Sequence, residues 1–169
     1  HLADIVSVSV STETEVKEYE SLRASAMGKP VLASLSDTGV AELESPGGEG
    51  KLASMLNRHT FYGIPLSLGN LWTSKAFAPR LKRELALVRK HLEVASSLSR
   101  AGWQPVQHAS SNVLSVRLER FGDVKNGIYF TLYNTGKEAV DFTLSVNKAG
   151  LNIKEAPKVE ELLTGENLT

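Results

Sequence analysis

The sequence predicts an α/β segment followed by an all-β one: a partial (β/α) barrel, represented by its last three strand–helix units, joined to a small antiparallel β-sandwich. Three observations predict it. Up to residue 78, short β-branched or apolar runs alternate with helical patterns. Residues 79–105 then read as one long amphipathic helix and its stop. Beyond it, apolar residues recur mainly at every second position. The barrel segment is expected to span residues 1–109 and the sandwich segment residues 110–169.

Residues 3–10 (Ala-Asp-Ile-Val-Ser-Val-Ser-Val) are rich in β-branched side chains and read as a strand. Thr12-Glu13-Thr14-Glu15 offers capping oxygens and early carboxylates for a helix over 14–27, with Gly28 as its stop. Residues 31–35 (Val-Leu-Ala-Ser-Leu) form a second, almost wholly apolar strand, the pattern of a strand covered on both faces. After Asp37 a loop is expected, containing Glu42, Glu44 and Ser45-Pro46-Gly47-Gly48-Glu49-Gly50. Its glycines lack a Gly-Lys-Ser/Thr ending and a dinucleotide-binding spacing, so a surface loop is the better reading than a phosphate cradle. A short helix over 51–59 and a third strand over 61–67 follow, the latter disturbed by Pro65.

Strands alternating with helices imply a parallel sheet. Three such units alone leave two open edges, whereas as the last three of an eight-fold barrel they would have neighbours. In parallel α/β folds the loops after the strands hold ligand chemistry. Here those loops carry Ser11 and Glu13, then Ser36 and Asp37, then Ser67, Asn70 and Trp72.

In the long helix Leu81, Leu85, Val88, Leu92, Ala95 and Leu98 form one apolar stripe. Pro79 suits its first turn; Gly102 and Pro105 supply the stop. His91 is read as a solvated or half-buried side chain. In the second segment strands are expected over 113–121 and 127–133. The Asn134-Thr135-Gly136-Lys137 turn then predicts a hairpin with a returning strand through Val140, Phe142, Leu144 and Val146. Two short strands, 151–154 and 159–163, complete the set, giving several antiparallel strands as in a small sandwich. The chain starts at His1, close to a strand, and finishes in a turn and a strand beginning, which predicts a piece of a larger protein.

Composition narrows the function classes. The 19 Lys and Arg balance 19 Asp and Glu with no long run of one sign, which disfavours a nucleic-acid partner. No apolar run approaches membrane-spanning length, and no membrane partner is expected. Without cysteine there are no disulfides or thiolate sites, and the compartment is left open. His1, His59, His91 and His108 are too dispersed for metal-ligand spacing, so neither a metal nor a cofactor is expected.

Several phrases carry a resemblance. Tyr62-Gly63-Ile64-Pro65-Leu66-Ser67, the tryptophan loop after it, the long helix and Ala101-Gly102-Trp103-Gln104-Pro105-Val106-Gln107-His108-Ala109 resemble the end of certain glycoside hydrolases. In these a (β/α)8 barrel passes from its last helix into a C-terminal antiparallel β-sandwich. Lys29-Pro30-Val31 resembles the approach to a late barrel strand. Val159-Glu160-Glu161-Leu162-Leu163-Thr164-Gly165-Glu166 is similar to the penultimate strand and turn of the sandwich.

The resemblance covers nearly the whole chain, but its motifs are architectural, with no catalytic signature among them. It implies the C-terminal part of a carbohydrate-active hydrolase, inactive alone, whose partners are carbohydrate and the remainder of the barrel or a companion chain. Glycosidases of this kind use two carboxyl groups, and the resemblance implies that the pair is missing here, lying upstream, or at most half present with Asp37 as its best-placed candidate, so the catalytic residues are unassigned. It implies substrate contact at Trp72, whose ring could stack on a pyranose, at Asn70, which could bond hydroxyls, and at Asp37. Against these stand bland readings: Trp72 packing its loop on the barrel rim, and Asp37 capping a helix or facing solvent. Glu13 is a weaker candidate, and Trp103 is expected to pack between barrel and sandwich. The alternatives for the whole chain are a non-catalytic carbohydrate- or protein-binding module and a self-contained structural domain.

Overall fold

The structure, a computed structural model, describes residues 5–27, 29–75 and 78–168. Side chains are described except those of Glu49, Asn70, Trp72, Ala78, Arg80, Leu81 and Leu168. The chain divides into two compact units, His1–Arg100 and Ala101–Thr169. The division falls nine residues before the expected one, because Trp103 and Gln104 already form a strand that pairs within the second unit.

In the first unit the order is β1 (Val6–Val10), α1 (Val16–Ala26), β2 (Val31–Leu35), α2 (Asp37–Glu44), α3 (Gly48–Tyr62), β3 (Leu66–Ser67), α4 (Gly69–Thr73) and α5 (Ala78–Ala101). The three strands form one parallel sheet in sequential order, β1-β2-β3. Among the described residues this sheet has no fourth strand and does not close. Val6, Val8 and Val10 stand in register with Val31, Ala33 and Leu35, and Ala33 with Leu66. Val10, Val31, Ala33, Leu35 and Leu66 on this face are buried, together with Leu43 of α2, Leu52, Met55 and Leu56 of α3, and Leu71 of α4. The opposite face carries Ser7, Ser9, Leu32, Ser34 and Ser67, all exposed or half-buried. The apolar run of β2 is therefore covered on one face only, not on both as its sequence suggested.

The expected loop after Asp37 is two helices. Ser36 caps α2, its hydroxyl accepting the Gly39 N–H at 3.0 Å. Gly47, at φ 82°, turns the chain directly into α3. Gly48 is required there because a Cβ would lie 2.2 Å from the Leu43 carbonyl oxygen. The glycine cluster thus serves a tight helix–helix joint. α3 runs on through Phe61 and Tyr62 and stops at left-handed Gly63, whose N–H reaches the Thr60 carbonyl at 3.0 Å. This shortens the third strand to Leu66–Ser67, beyond Pro65. At the end of α1 the left-handed residue is Met27 (φ 47°); Gly28 lies outside the described residues. In α5 Val88, His91, Ala95 and Leu98 are buried, while Leu85 and Leu92 are half-buried. His91 thus belongs to the buried stripe, hydrogen-bonded to the Thr60 hydroxyl at 2.8 Å.

The second unit contains β4 (Trp103–Gln104), β5 (Ala109–Ser111), β6 (Val116–Asp123), β7 (Gly127–Asn134), β8 (Leu144–Val146), β9 (Val159–Glu160) and β10 (Asn167–Leu168). They form three small antiparallel sheets, β4-β6-β7, β5-β8 and β9-β10. Residues 151–154 are turn and irregular chain, not a strand. The expected hairpin is also re-paired. β7 turns back from β6, and β8 pairs with β5. The reason lies in local hydrogen bonds. The Asp123 carboxylate accepts the N–H groups of Lys125 and Asn126, both at 2.9 Å, and Gly127 takes φ 91°, which closes the β6–β7 turn. After β7 the Thr135 N–H bonds back to the Ser115 carbonyl at 2.8 Å, and the Asn134 amide donates to the Glu138 carbonyl at 2.7 Å. That segment leads the chain away from β7.

Candidate functional site at the strand ends

The strands of the first unit are parallel, so their carboxyl ends and the residues that follow them lie at one end of the sheet. After β1 comes the turn Ser11-Thr12-Glu13-Thr14, held by the Ser11 N–H donating to the Thr14 hydroxyl at 3.0 Å. Thr12 is buried. Its N–H donates to Glu42 Oε2 at 2.9 Å, and its hydroxyl donates to the same oxygen. Arg58 Nη2 donates to the Thr12 carbonyl oxygen. Glu13 is bound in turn by Lys51, with Nζ 3.1 Å from Oε1. Loop, α2 and α3 are thereby tied together at the mouth of the sheet. The tie is close as well as polar: a Cβ on Gly39 would lie 2.5 Å from Leu35 Cδ1 and 3.2 Å from Ser11 Cα.

Two carboxylates at the strand ends are therefore engaged, Glu42 by Thr12 and Glu13 by Lys51. The Glu42 carboxylate, bonded to the buried Thr12, acts as a structural anchor, whereas the Lys51–Glu13 pair is exposed and contributes little.

The open face beside this end is hydroxylic. Ser9 stands in register with Ser34, and Ser34 with Ser67, a row of three serines across the three strands. A separate groove of about 710 Å³ runs along β1 and α1, lined by Val8 and Val10 as well as by Ser9, Ser11, Thr14, Ser36 and Thr38 towards the strand ends. Lys17, Glu18, Ser21, Leu22 and Ser25 line it along α1.

Beneath the helices lies a different polar group. The Tyr19 hydroxyl is 3.0 Å from His59 Nε2, and His59 Nδ1 is 3.1 Å from the Ile64 carbonyl oxygen. A carbonyl only accepts, so Nδ1 carries the proton and Nε2 accepts the Tyr19 O–H. Tyr62 stacks on Tyr19 at 5.1 Å, and the Arg23 guanidinium lies 4.9 Å from the Tyr62 ring centre. Burial pushes the His59 pKa down from 6.5 to about 4, and burial lowers that of His91 as well. Each is wedged between packed elements, so both are core histidines. Among the described residues no group of three or more metal-ligating side chains is gathered, and no helix is long and apolar enough to cross a membrane.

Asp37 opens α2 at the carboxyl end of β2 and is exposed. Asn70 and Trp72 fall in α4, on the chain that follows β3; their side chains lie outside the described residues. α4 lies against β2 and α2, so all three positions belong to elements joined at this part of the sheet. Trp103 Nε1 donates to Glu119 Oε2 at 2.6 Å within the second unit. Sequence reasoning missed the Thr12–Glu42–Arg58 tie, whose members are 30 and 46 residues apart. It also missed the serine row, although the Val-Ser-Val-Ser-Val alternation is its visible trace.

Comparison of the chain with known protein families, with curated proteins and with solved structures finds no match.

Proposed function

We propose that this chain is the C-terminal part of a carbohydrate-active glycoside hydrolase. In this reading it contributes the last strand–helix units of a (β/α) barrel, their substrate contacts, and a supporting antiparallel β unit. The catalytic carboxyl pair sits on another segment of the enzyme. The observation that carries the reading is the singly wound sheet: parallel strands in sequential order, with one face buried and the other lined by serines. Crossovers of one hand between sequential neighbours place every helix on the same face, as a barrel requires, whereas a doubly wound sheet reverses its order. A hydroxylic inner face and polar strand ends suit a ligand that is itself rich in hydroxyls. The engagement of Glu42 in structural bonds to the buried Thr12 is in keeping with catalysis located elsewhere. Asp37, Asn70 and Trp72 are the substrate contacts of this reading.

Affinity electrophoresis of the purified chain through gels containing soluble xylan, starch or a β-glucan tests it, beside an assay for new reducing ends. Retardation in one gel, weakened at least several-fold by Trp72→Ala and by Asp37→Asn, with no reducing ends released, is the expected result. Release of reducing ends by the chain alone would overturn the upstream placement of the carboxyl pair. Retardation in none of the gels would remove the carbohydrate reading.

A further inference from the structure

We infer that the outer edge of β1 receives a further parallel β-strand from a companion segment, docked through the backbone groups of Ser7 and Ser9. This rests on the barrel reading and specifies its interface. The parity of the ladder is fixed by two bonds. The Val6 N–H donates to the Pro30 carbonyl at 3.0 Å, and the Ser36 N–H donates to the Val10 carbonyl at 2.8 Å. Even-numbered residues of β1 thus turn their backbone towards β2, and in a parallel ladder the odd ones turn away from it. Among the described residues no strand meets Ser7 and Ser9 on that side.

The two edges of the sheet are not alike. β3 is two residues long and is preceded by Pro65, both of them devices that blunt an edge. β1 is five residues long, and residues 5–10 include no charge and no proline. An exposed edge of that length without such protection is a pairing surface. Beside it lies the groove between β1 and α1, whose α1 flank is formed by Lys17, Glu18, Ser21, Leu22 and Ser25.

The incoming strand is defined by continuity with the sheet. Apolar residues continue the buried row of Val8 and Ala33, and small polar ones continue the row of Ser9, Ser34 and Ser67. Parallel alignment follows from the barrel reading, in which every strand runs parallel to its neighbours as the two existing pairings do.

The probe is a synthetic peptide of residues 29–37, whose Val-Leu-Ala-Ser-Leu core already pairs in parallel with β1 within the fold. Amide exchange of the whole chain is followed by NMR with and without it. Protection gained at the Ser7 and Ser9 amides, and lost when the peptide is N-methylated along the edge facing β1, is the expected result. A spin label on the peptide's N-terminus should broaden signals at Val6 in preference to Val10. Ser9→Pro removes one outward N–H without touching the β2 ladder, and should lose the protection as well.

Three results would overturn the inference. The first is unchanged exchange at saturating peptide. The second is broadening at the Val10 end. The third is a doubled mass in native mass spectrometry with Ser7 and Ser9 protected before any peptide is added, which would mean that the near-palindromic Val-Ser-Val-Ser-Val pairs with a second copy instead. Strand capture without carbohydrate retardation would remove the hydrolase reading and leave the edge assignment; the reverse result would do the opposite.

Discussion

His59 is the residue whose chemistry reaches furthest into stability. The folded protein holds it neutral, with a pKa near 4, whereas the unfolded chain titrates at the ordinary 6.5. Above pH 6.5 both states are neutral and the histidine costs nothing. As pH falls from 6.5 towards 4 the unfolded state takes up the proton first, so stability declines by about 1.4 kcal/mol per pH unit. The accumulated loss is about 3 kcal/mol, and it levels off below the folded pKa. His91 adds to the decline in the same direction. Urea unfolding at pH 7 and pH 5 should show about 2 kcal/mol of this loss, and a His59→Gln variant should show a smaller pH slope although it is less stable at both. Equal slopes for the two proteins would assign the effect to other groups. Thr12 makes a second residue-scale prediction. Thr12→Val deletes the hydroxyl that donates to the half-buried Glu42 carboxylate. It should cost about 1–3 kcal/mol in the same measurement. A neutral result would mean that solvent replaces the hydroxyl.

Between elements, the joint of α2 and α3 gives a paired prediction. Gly48 and Gly50 both lie in the first turn of α3. A methyl at Gly48 meets the Leu43 carbonyl, whereas one at Gly50 meets nothing within 4 Å. Gly48→Ala should therefore destabilise by about 2–3 kcal/mol. Gly50→Ala should stabilise by about 0.5–1 kcal/mol, because a helical glycine is replaced in open space. Thermal melts that failed to separate the two variants would contradict this account of the glycine cluster. The same joint marks where the sequence stopped being legible. β1, β2, α5 and the β6 and β7 strands are legible because their periodicity is local, and in β1 and β2 it survives as an alternating burial pattern. Gly47-Gly48-Glu49-Gly50 reads as a loop because glycine count does not distinguish a flexible turn from a close approach. The choice of partner for β7 depended on two turn signals of similar strength, 134–137 and 123–127. It was decided by the Asp123 carboxylate and the left-handed Gly127, and the apolar alternation could not see that decision. The site was legible only as positions after strands. Thr12, Glu42 and Arg58 come together through tertiary contact that no spacing announces.

Across the whole molecule the two units differ in how much they bury. The first has an apolar core drawn from β2, α1 to α4 and α5, including the fully buried Tyr19, Leu43, Leu52, Met55 and Leu98. In the second, Val116, Phe121 and Leu151 are the buried large apolar side chains among the described residues, while Leu114, Val124, Phe142 and Val159 are exposed. β7 has no fully buried residue along its length. Local opening free energy rises with buried apolar contact, so the backbone of the second unit should open more readily than that of the first. Hydrogen exchange followed by mass spectrometry at increasing urea should find the slowest peptides in β2, α3 and the middle of α5. Peptides covering β7 and β8 should exchange well below the global transition. If β6 and β7 proved as protected as β2, the second unit would have to owe its stability to something other than its own apolar core. A partner surface over Phe142 and Val159 would then be the first place to look, because both are exposed apolar side chains whose covering would add stability.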